Sequence, residues 1–408
     1  MKKTLFIAAC AALAFGVLSC SKDNGASEEP VIESVDPEEE VLEAEAQGKK
    51  LAGTATSLAE AINTKDFTDA FKTIGELVNT DWSKYECEDN EDLLEKLEEA
   101  CVIYKSGASV DEYLVDLSGA RGRYVSKNGK ITVTESDNVE ISLEEGYDAL
   151  VTFSDKTSKV LVSSVWKNNV READYYAEIP EEITATVSYK GVQQIKVTMT
   201  SGLNVSGSVE EFDFNQDSFD IALSIEVAGY KIAVTKACYK NHSAQVVSAL
   251  YKGEQCLLSE SASASGIKFY QGELSNIDDV NLSVNVMGMV QVKGKVNDAI
   301  AVVEAINSLD GKTDEKSAKD IANTLNSNVD VKVYYGSDVV QAALVFQAMT
   351  TDSAQTRWTA MPVIKIGDQT YALSEYEKIL SDAQISSITD AFESLCEDFY
   401  ELVEKYVK

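Results

Sequence analysis

Histidine is nearly absent from this 408-residue chain: His242 is the only one. That scarcity removes whole classes of chemistry. A zinc site with two or three histidine ligands cannot be built within one chain, nor can an HExxH helix. A catalytic triad would have to use His242, which sits in "YKNHSA", a polar stretch that reads as a turn between strands. Proline is scarce too; there are four, and Pro30 and Pro37 lie near the N-terminus. Positive charge is in deficit, with 36 Lys and Arg against 68 Asp and Glu, a formal net charge of −32. Such a surface repels phosphate backbones and argues against nucleic acid as a partner. No Walker loop and no GxGxxG occurs, so no phosphate-cradling turn points to a nucleotide, and no cofactor is expected.

Metal-ligand spacing is missing as well. The nearest calcium look-alike, "DFNQD" at 213–217, lacks the glycine and the terminal glutamate of an EF-hand loop. Seven cysteines are present, two of them in the first twenty residues. The other five, Cys87, Cys101, Cys238, Cys256 and Cys396, are odd in number, so at least one is free or paired between chains. Cys87 and Cys101 flank a predicted helix and are candidates for a bridge; buried thiols are the competing reading. Carboxylates are the only plentiful catalytic type. A glycoside hydrolase needs two of them about 5–9.5 Å apart across a cleft, and no motif picks out such a pair. No catalytic residue and no metal ligand is therefore assigned.

What is there begins at the N-terminus. Lys2 and Lys3 precede "TLFIAACAALAFGVLS", an apolar run ending in small residues, which reads as a secretory signal too short to be kept as a spanning helix. Val17-Leu18-Ser19-Cys20 resembles the lipobox of bacterial lipoproteins, with Leu18 standing where alanine or serine is commoner. "IAAC" at 7–10 spells the pattern slightly better, but about four apolar residues precede it, against the ~7–15 that such a signal needs. The resemblance implies that Cys20 receives a diacylglycerol, that the signal is cut before it, and that two or three acyl chains anchor the protein in a membrane. Ser21 follows in place of the aspartate that retains many lipoproteins in the inner membrane. "SKDN" and the acidic stretch after it resemble export signals of surface-displayed Gram-negative lipoproteins, which implies an outer-membrane location facing outward.

Between Ser21 and Ala46 lie ten carboxylates, one lysine and no aromatic residue. Such a segment reads as a self-repelling tether. The expected organisation is a signal peptide over 1–19, a lipidated acidic tether over 20–50, a helical segment over 51–117, an antiparallel β region over 118–295 and an α+β segment over 296–408. Phe67, Phe71, Ile74 and Val78 form one helical stripe, and Leu93, Leu94, Leu97, Cys101 and Tyr104 a second. From about residue 120 the apolar period switches to two.

The body contains an internal repeat. "YKGVQ" at 189–193 recurs as "YKGEQ" at 251–255, and "DIALSIEVAG" at 220–229 as "DVNLSVNVMG" at 279–288, with five of ten residues identical. The repeated unit is about sixty residues, roughly 180–240 and 241–295, and reads as two hairpins with tips at Lys190-Gly191, Lys252-Gly253, Gly229 and Gly288. "VKVYYG" and "VIKIGDQTYAL" look like a third, degraded hairpin pair. Ile385, Ile388, Phe392, Leu395, Phe399, Leu402 and Tyr406 stripe a closing helix expected to pack across the sheet. The class is α+β, mainly antiparallel sheet from repeated hairpins, with helices at both ends and one wet face on the meander.

Trp82, Trp166 and Trp358, with tyrosine pairs at 175–176 and 334–335, are the candidates for a ligand-stacking surface; core packing is the competing reading. "GARGRY" at 119–124 reads as two arginines serving local carboxylates. The function that fits is a non-enzymatic envelope lipoprotein whose hairpin body binds a protein or glycan partner. A carrier of a hydrophobic ligand and a carboxylate-based glycan hydrolase are the alternatives.

Overall fold

The computed structural model describes residues 40–87, 93–107, 110–270, 273–308, 314–350, 357–372, 375 and 381–407. The expected signal, Cys20 and the tether up to residue 39 lie outside the described residues. The chain is mostly β, in antiparallel hairpins, with some helices. It opens with α1 (Ala44–Ala61), α2 (Thr68–Val78) and α3 (Leu93–Cys101). Two of these depart from expectation. Helix α1 starts inside the segment read as tether, because Gln47, Gly48 and Ala52 are small or amide side chains that bury against the body. Helix α3 ends at Cys101 and runs straight into β1 (Val102–Lys105), so Tyr104 lies on a strand rather than on the helical stripe. Its β-branched start, Val-Ile, favours the strand.

After β2 (Asp111–Asp116) come β3 (Gly122–Lys127), β4 (Lys130–Thr134), β5 (Val139–Ser142) and β6 (Tyr147–Phe153). The hairpin β7 (Thr157–Lys167) and β8 (Val170–Pro180) joins β1 and β2 in a small sheet ordered β1-β2-β8-β7. The segment 51–117 is thus helical only to Cys101; its last part pairs with this hairpin.

The repeat forms the middle of a second sheet. Its first unit is β9 (Glu182–Tyr189), β10 (Val192–Asn204), β11 (Ser218–Val227) and β12 (Tyr230–Lys240). The second is β13 (Ser243–Lys252), β14 (Gln255–Ser265), β17 (Asp279–Val286) and β18 (Val290–Asn297), interrupted by the small hairpin β15 (Lys268–Tyr270) and β16 (Glu273–Asn276). Helices α4 (Ala299–Asn307) and α5 (Glu315–Asn328) follow. The degraded third pair is β19 (Val329–Tyr334), β20 (Val340–Thr350), β21 (Trp358–Ile366) and β22 (Gln369–Ala372), and α6 (Asp382–Tyr406) closes the chain. Sixteen strands line up as β22-β21-β20-β19-β18-β17-β14-β13-β12-β11-β10-β9-β6-β5-β3-β4, antiparallel throughout except β3 with β5.

The tips fall nearly where the glycines predict. Lys190 and Gly191 take φ of 49° and 78°, a turn that matches strand twist. In the second unit the tip slips by one residue: Lys252 still pairs with Gln255, and Gly253-Glu254 makes the turn. The register shift between Leu250 and Tyr251 leaves Leu257 as an extra residue, completely buried. Asn241 and His242 form the β12–β13 turn with positive φ, so the lone histidine is a turn residue as read.

The two faces of this sheet differ. One register row on one face reads Ala262, Leu282, Gly294, Val331, Leu344 and Ile364. At one rim α4 and α5 cover it: Val302, Ala305, Ile321 and Leu325 pack with Val296, Val329 and Phe346. At the hairpin-tip rim, Phe67 and Phe71 pack with Tyr230 and Leu257 and with Phe399, Leu402 and Tyr406 of α6. Between these caps every β17 residue is only half-buried. Helix α6 therefore does not cross the sheet. It lies on α1 and α2, because Gly75 lets α2 approach the Tyr406 backbone so closely that a β-carbon would collide with its carbonyl. Of its predicted stripe, Ile385 is exposed; on α2, Val78 is exposed likewise.

Helix α1 runs along the tips. Its start meets β20 through Gln47 and Gln341, Thr54 contacts Met289 at the β17–β18 tip, and the Ala61 carbonyl accepts from the Tyr230 hydroxyl at the head of β12. A helix of 18 residues spans about 27 Å, and the six strand steps from β20 to β12 span about 29 Å. The match explains how one helix ties three tips together.

Candidate functional site: a lysine-lined groove on the polar face

The open face of the sheet is polar because residues alternate with the apolar row just described. Three transverse rows define it. The first is Gln245, Ser263, Asn281, Lys295 and Asp330. The second is Ser261, Ser283, Lys293, Lys332, Ala343 and Lys365. The third is Asn285, Gln291 and Tyr334. Serines and asparagines on β14 and β17 are short, whereas β18 and β19 carry lysines, so the face sinks between them. The depression has a volume of about 480 Å³ and is lined by Gln245, Ser263, Asn281, Lys293, Lys332 and Tyr334, among others. A second groove of about 570 Å³ lies farther along, bordered by Asp220, Lys236, Lys240 and again Gln245.

The second row contains no carboxylate. Lys293 and Lys332 are cross-strand partners, an arrangement of like charges that costs stability. Neighbours soften it: Lys293 Nζ sits 5.0 Å from the centre of the Tyr334 ring, and Lys332 Nζ is 2.7 Å from Asp330 Oδ2. The Asp330 hydrogen bond holds the Lys332 ammonium above its ordinary pKa, so it stays charged. Lys293 and Lys365 are exposed. Asn281 lines the groove, while its Nδ2 is buried and meets no hydrogen-bond acceptor among the described residues. Beyond about 8 Å physiological salt largely screens charge, so these lysines set the local field and not the chain's total.

The residues singled out in the sequence scatter. Tyr334 lines the groove, but Tyr335 is fully buried with its hydroxyl 3.4 Å from Gln47 Oε1. Trp358 is half-buried at the start of β21. Trp166, 63% exposed, stands at the end of β7 in the small sheet, with Tyr175 and Tyr176 on its neighbour β8. Trp82 falls in a short helical turn, Trp82–Lys84, and its side chain lies outside the described residues. Trp166 and Trp358 thus belong to different sheets and make no common surface. The lysine row escaped sequence reading because its members are 33 to 72 residues apart, Lys293 to Lys332 to Lys365, and only the strand register aligns them.

The remaining candidates resolve into structure. Cys87 and Cys101 are unbridged, as are Cys238, Cys256 and Cys396; Cys87 and Cys256 are buried, and Cys396 is exposed. Burial pushes the Cys101, Cys238 and Cys256 thiols up, away from reactivity. Arg121 pairs with Asp155 at 2.8 Å and Arg123 with Glu140 at 3.7 Å, the local partners expected for "GARGRY". In the calcium look-alike, Asp213 accepts from Asn215 and Gln216, while Asp217 accepts from Ser206 and the Asp213 N–H. Those carboxylates staple their own loop. No group of three or more His, Cys, Asp or Glu suited to a metal occurs among the described residues. No helix among them is long and apolar enough to cross a membrane. No protein-family model, no curated protein and no solved structure matches this chain.

Proposed function

We propose that the protein is a non-enzymatic, lipid-anchored protein of the bacterial outer membrane that faces outward and binds an acidic glycan along the polar face of its hairpin body. The row Lys293–Lys332–Lys365 over the serine- and asparagine-lined groove carries this reading. Ammonium groups meet carboxylates or sulfates, and the hydroxyl and amide side chains meet sugar hydroxyls. The lipobox at Cys20 and the acidic segment after it supply anchor and standoff.

Two measurements test the reading. Cys20→Ala should move the protein from the membrane pellet to the soluble fraction; unchanged sedimentation with membranes sinks the anchor. Polygalacturonate should bind the Cys20→Ala chain, and its methyl ester and dextran should not. Lys293→Glu with Lys332→Glu should weaken polygalacturonate binding by about ten-fold or more, the equivalent of ~1.4 kcal/mol. Equal binding of the neutral polymers sinks the glycan.

A second reading, a carrier of a hydrophobic ligand, draws on the half-buried apolar row Leu282, Val331 and Leu344. It predicts that a long-chain fatty acid shifts the melting temperature, an effect that Leu282→Asp would remove.

A further inference from the structure

The small sheet presents a feature that the groove does not use. Tyr104, Tyr113 and Tyr175 lie side by side on β1, β2 and β8. The Tyr113 and Tyr175 rings stack within 7° of parallel with centroids 4.8 Å apart, and the Tyr104 ring leans on Tyr113 at 39° with centroids 4.9 Å apart. That distance is the spacing of neighbouring strands. Tyr113 thus has a tyrosine ring on either side, and the ladder ends on β1 at Tyr104. There Tyr104 is 53% exposed.

Strand β1 is also the outermost strand of its sheet, and no described residue pairs with its outer side. All four of its residues are exposed, Val102 at 45% and Ile103 at 48%. An edge strand presents alternate N–H and C=O groups ready for another chain. Val102-Ile103-Tyr104-Lys105 carries no carboxylate, but Asp111, Glu112 and Asp116 stand on β2 beside it. Lysine side chains on a strand added to β1 would reach over it toward these carboxylates.

We infer that β1 is a docking edge for an extended, lysine-bearing peptide segment of another protein, which adds as a fifth strand and sets an aromatic side chain against Tyr104. Backbone hydrogen bonds would supply affinity, and the next place in the tyrosine ladder would supply specificity. The inference stands apart from the glycan groove, which lies on the other sheet.

The test uses the full chain carrying Cys20→Ala and a blocked heptapeptide, acetyl-Lys-Val-Thr-Tyr-Thr-Val-Lys-amide. The peptide should bind, slow hydrogen exchange at residues 102–105, and lose about ten-fold or more in affinity to the variant Tyr104→Ala. Replacing its tyrosine by alanine should cost a similar factor, and N-methylation of its threonines should abolish binding. Lys293→Glu with Lys332→Glu should leave peptide binding unchanged. Tyr104 also packs on Tyr113 and donates to Asp111 Oδ2, so the melt of its variant is recorded beside its binding, and the alanine peptide reads the same contact on the intact chain. The inference is overturned by equal binding of the N-methylated peptide, by protection that maps away from β1, or by no binding at millimolar peptide. It is equally overturned if the chain alone forms a dimer that Ile103→Lys dissolves.

Discussion

The side-chain amide of Gln47 donates to the main-chain carbonyl of Gln341 at 2.8 Å, across 294 residues of sequence. Both glutamines are fully buried. Gln341 in turn donates to the Glu40 carbonyl and accepts from the Leu42 N–H, so this pair clamps the first described residues onto the third hairpin pair. Gln47→Leu would remove the hydrogen bonds that Gln47 donates to the Gln341 carbonyl and accepts from the Tyr335 hydroxyl. The expected cost is about 1–3 kcal/mol. Urea unfolding would measure it, and hydrogen exchange should show α1 opening first. An unchanged midpoint would refute the clamp.

The contact of α2 with α6 allows no side chain at Gly75. Gly75→Val should force the Tyr406 backbone away and destabilise by about 1–3 kcal/mol. Gly53→Val, on α1 with open space around it, is the control and should cost less than the collision does. Thermal melts of the two variants distinguish a packing collision from a general dislike of valine in a helix.

Asp217 makes a pH prediction. Burial works to raise its pKa, but the Ser206 hydroxyl and N–H and the Asp213 N–H hold it below the ordinary aspartate value. A depressed folded pKa means the group stabilises above its unfolded pKa, about 3.9, and that this contribution is lost as pH falls through the folded value. Asp217→Asn should therefore be less stable at neutral pH, by about 1–2 kcal/mol. The gap should narrow as pH falls below about 4. A constant gap down to the lowest pH at which the chain folds would contradict the assignment.

Binding of polygalacturonate should weaken as salt rises, since the contacts are between ammonium and carboxylate groups. The Lys293→Glu, Lys332→Glu chain should show a shallower dependence. Trp166→Ala, on the other sheet, should change neither affinity nor slope. Isothermal titration at several salt concentrations reads all three outcomes.

Tyr85 donates to Glu145 at 2.8 Å, and its phenol is pushed up to about 12 by burial and then by that carboxylate. Burial also raises Tyr124, Tyr239 and Tyr251, so the alkaline spectrophotometric titration is read as the difference between the parent and Tyr85→Phe, which should isolate one tyrosine ionising well after the exposed ones. Glu145→Gln should bring it down. If the tyrosine lost in Tyr85→Phe ionises near 10, the Tyr85–Glu145 contact is absent in solution.

By itself the sequence determined the hairpin body. Alternating valines and serines state which face is wet, and "YKG" and "VAG" against "VMG" state the repeat, because tips and alternation are encoded within a few residues. The turn role of His242 was legible for the same reason. What only the tertiary structure decided is what meets across the strands. Tyr104 continued a helical stripe on paper but lies on a strand, since pairing with Tyr113 outweighs a local period. Gln47 sat in an acidic run that reads as tether, yet it is buried on a strand nearly three hundred residues away. Lys293, Lys332 and Lys365 share no local pattern. Register depends on every turn and bulge between them, and a one-residue slip would turn each lysine to the apolar face.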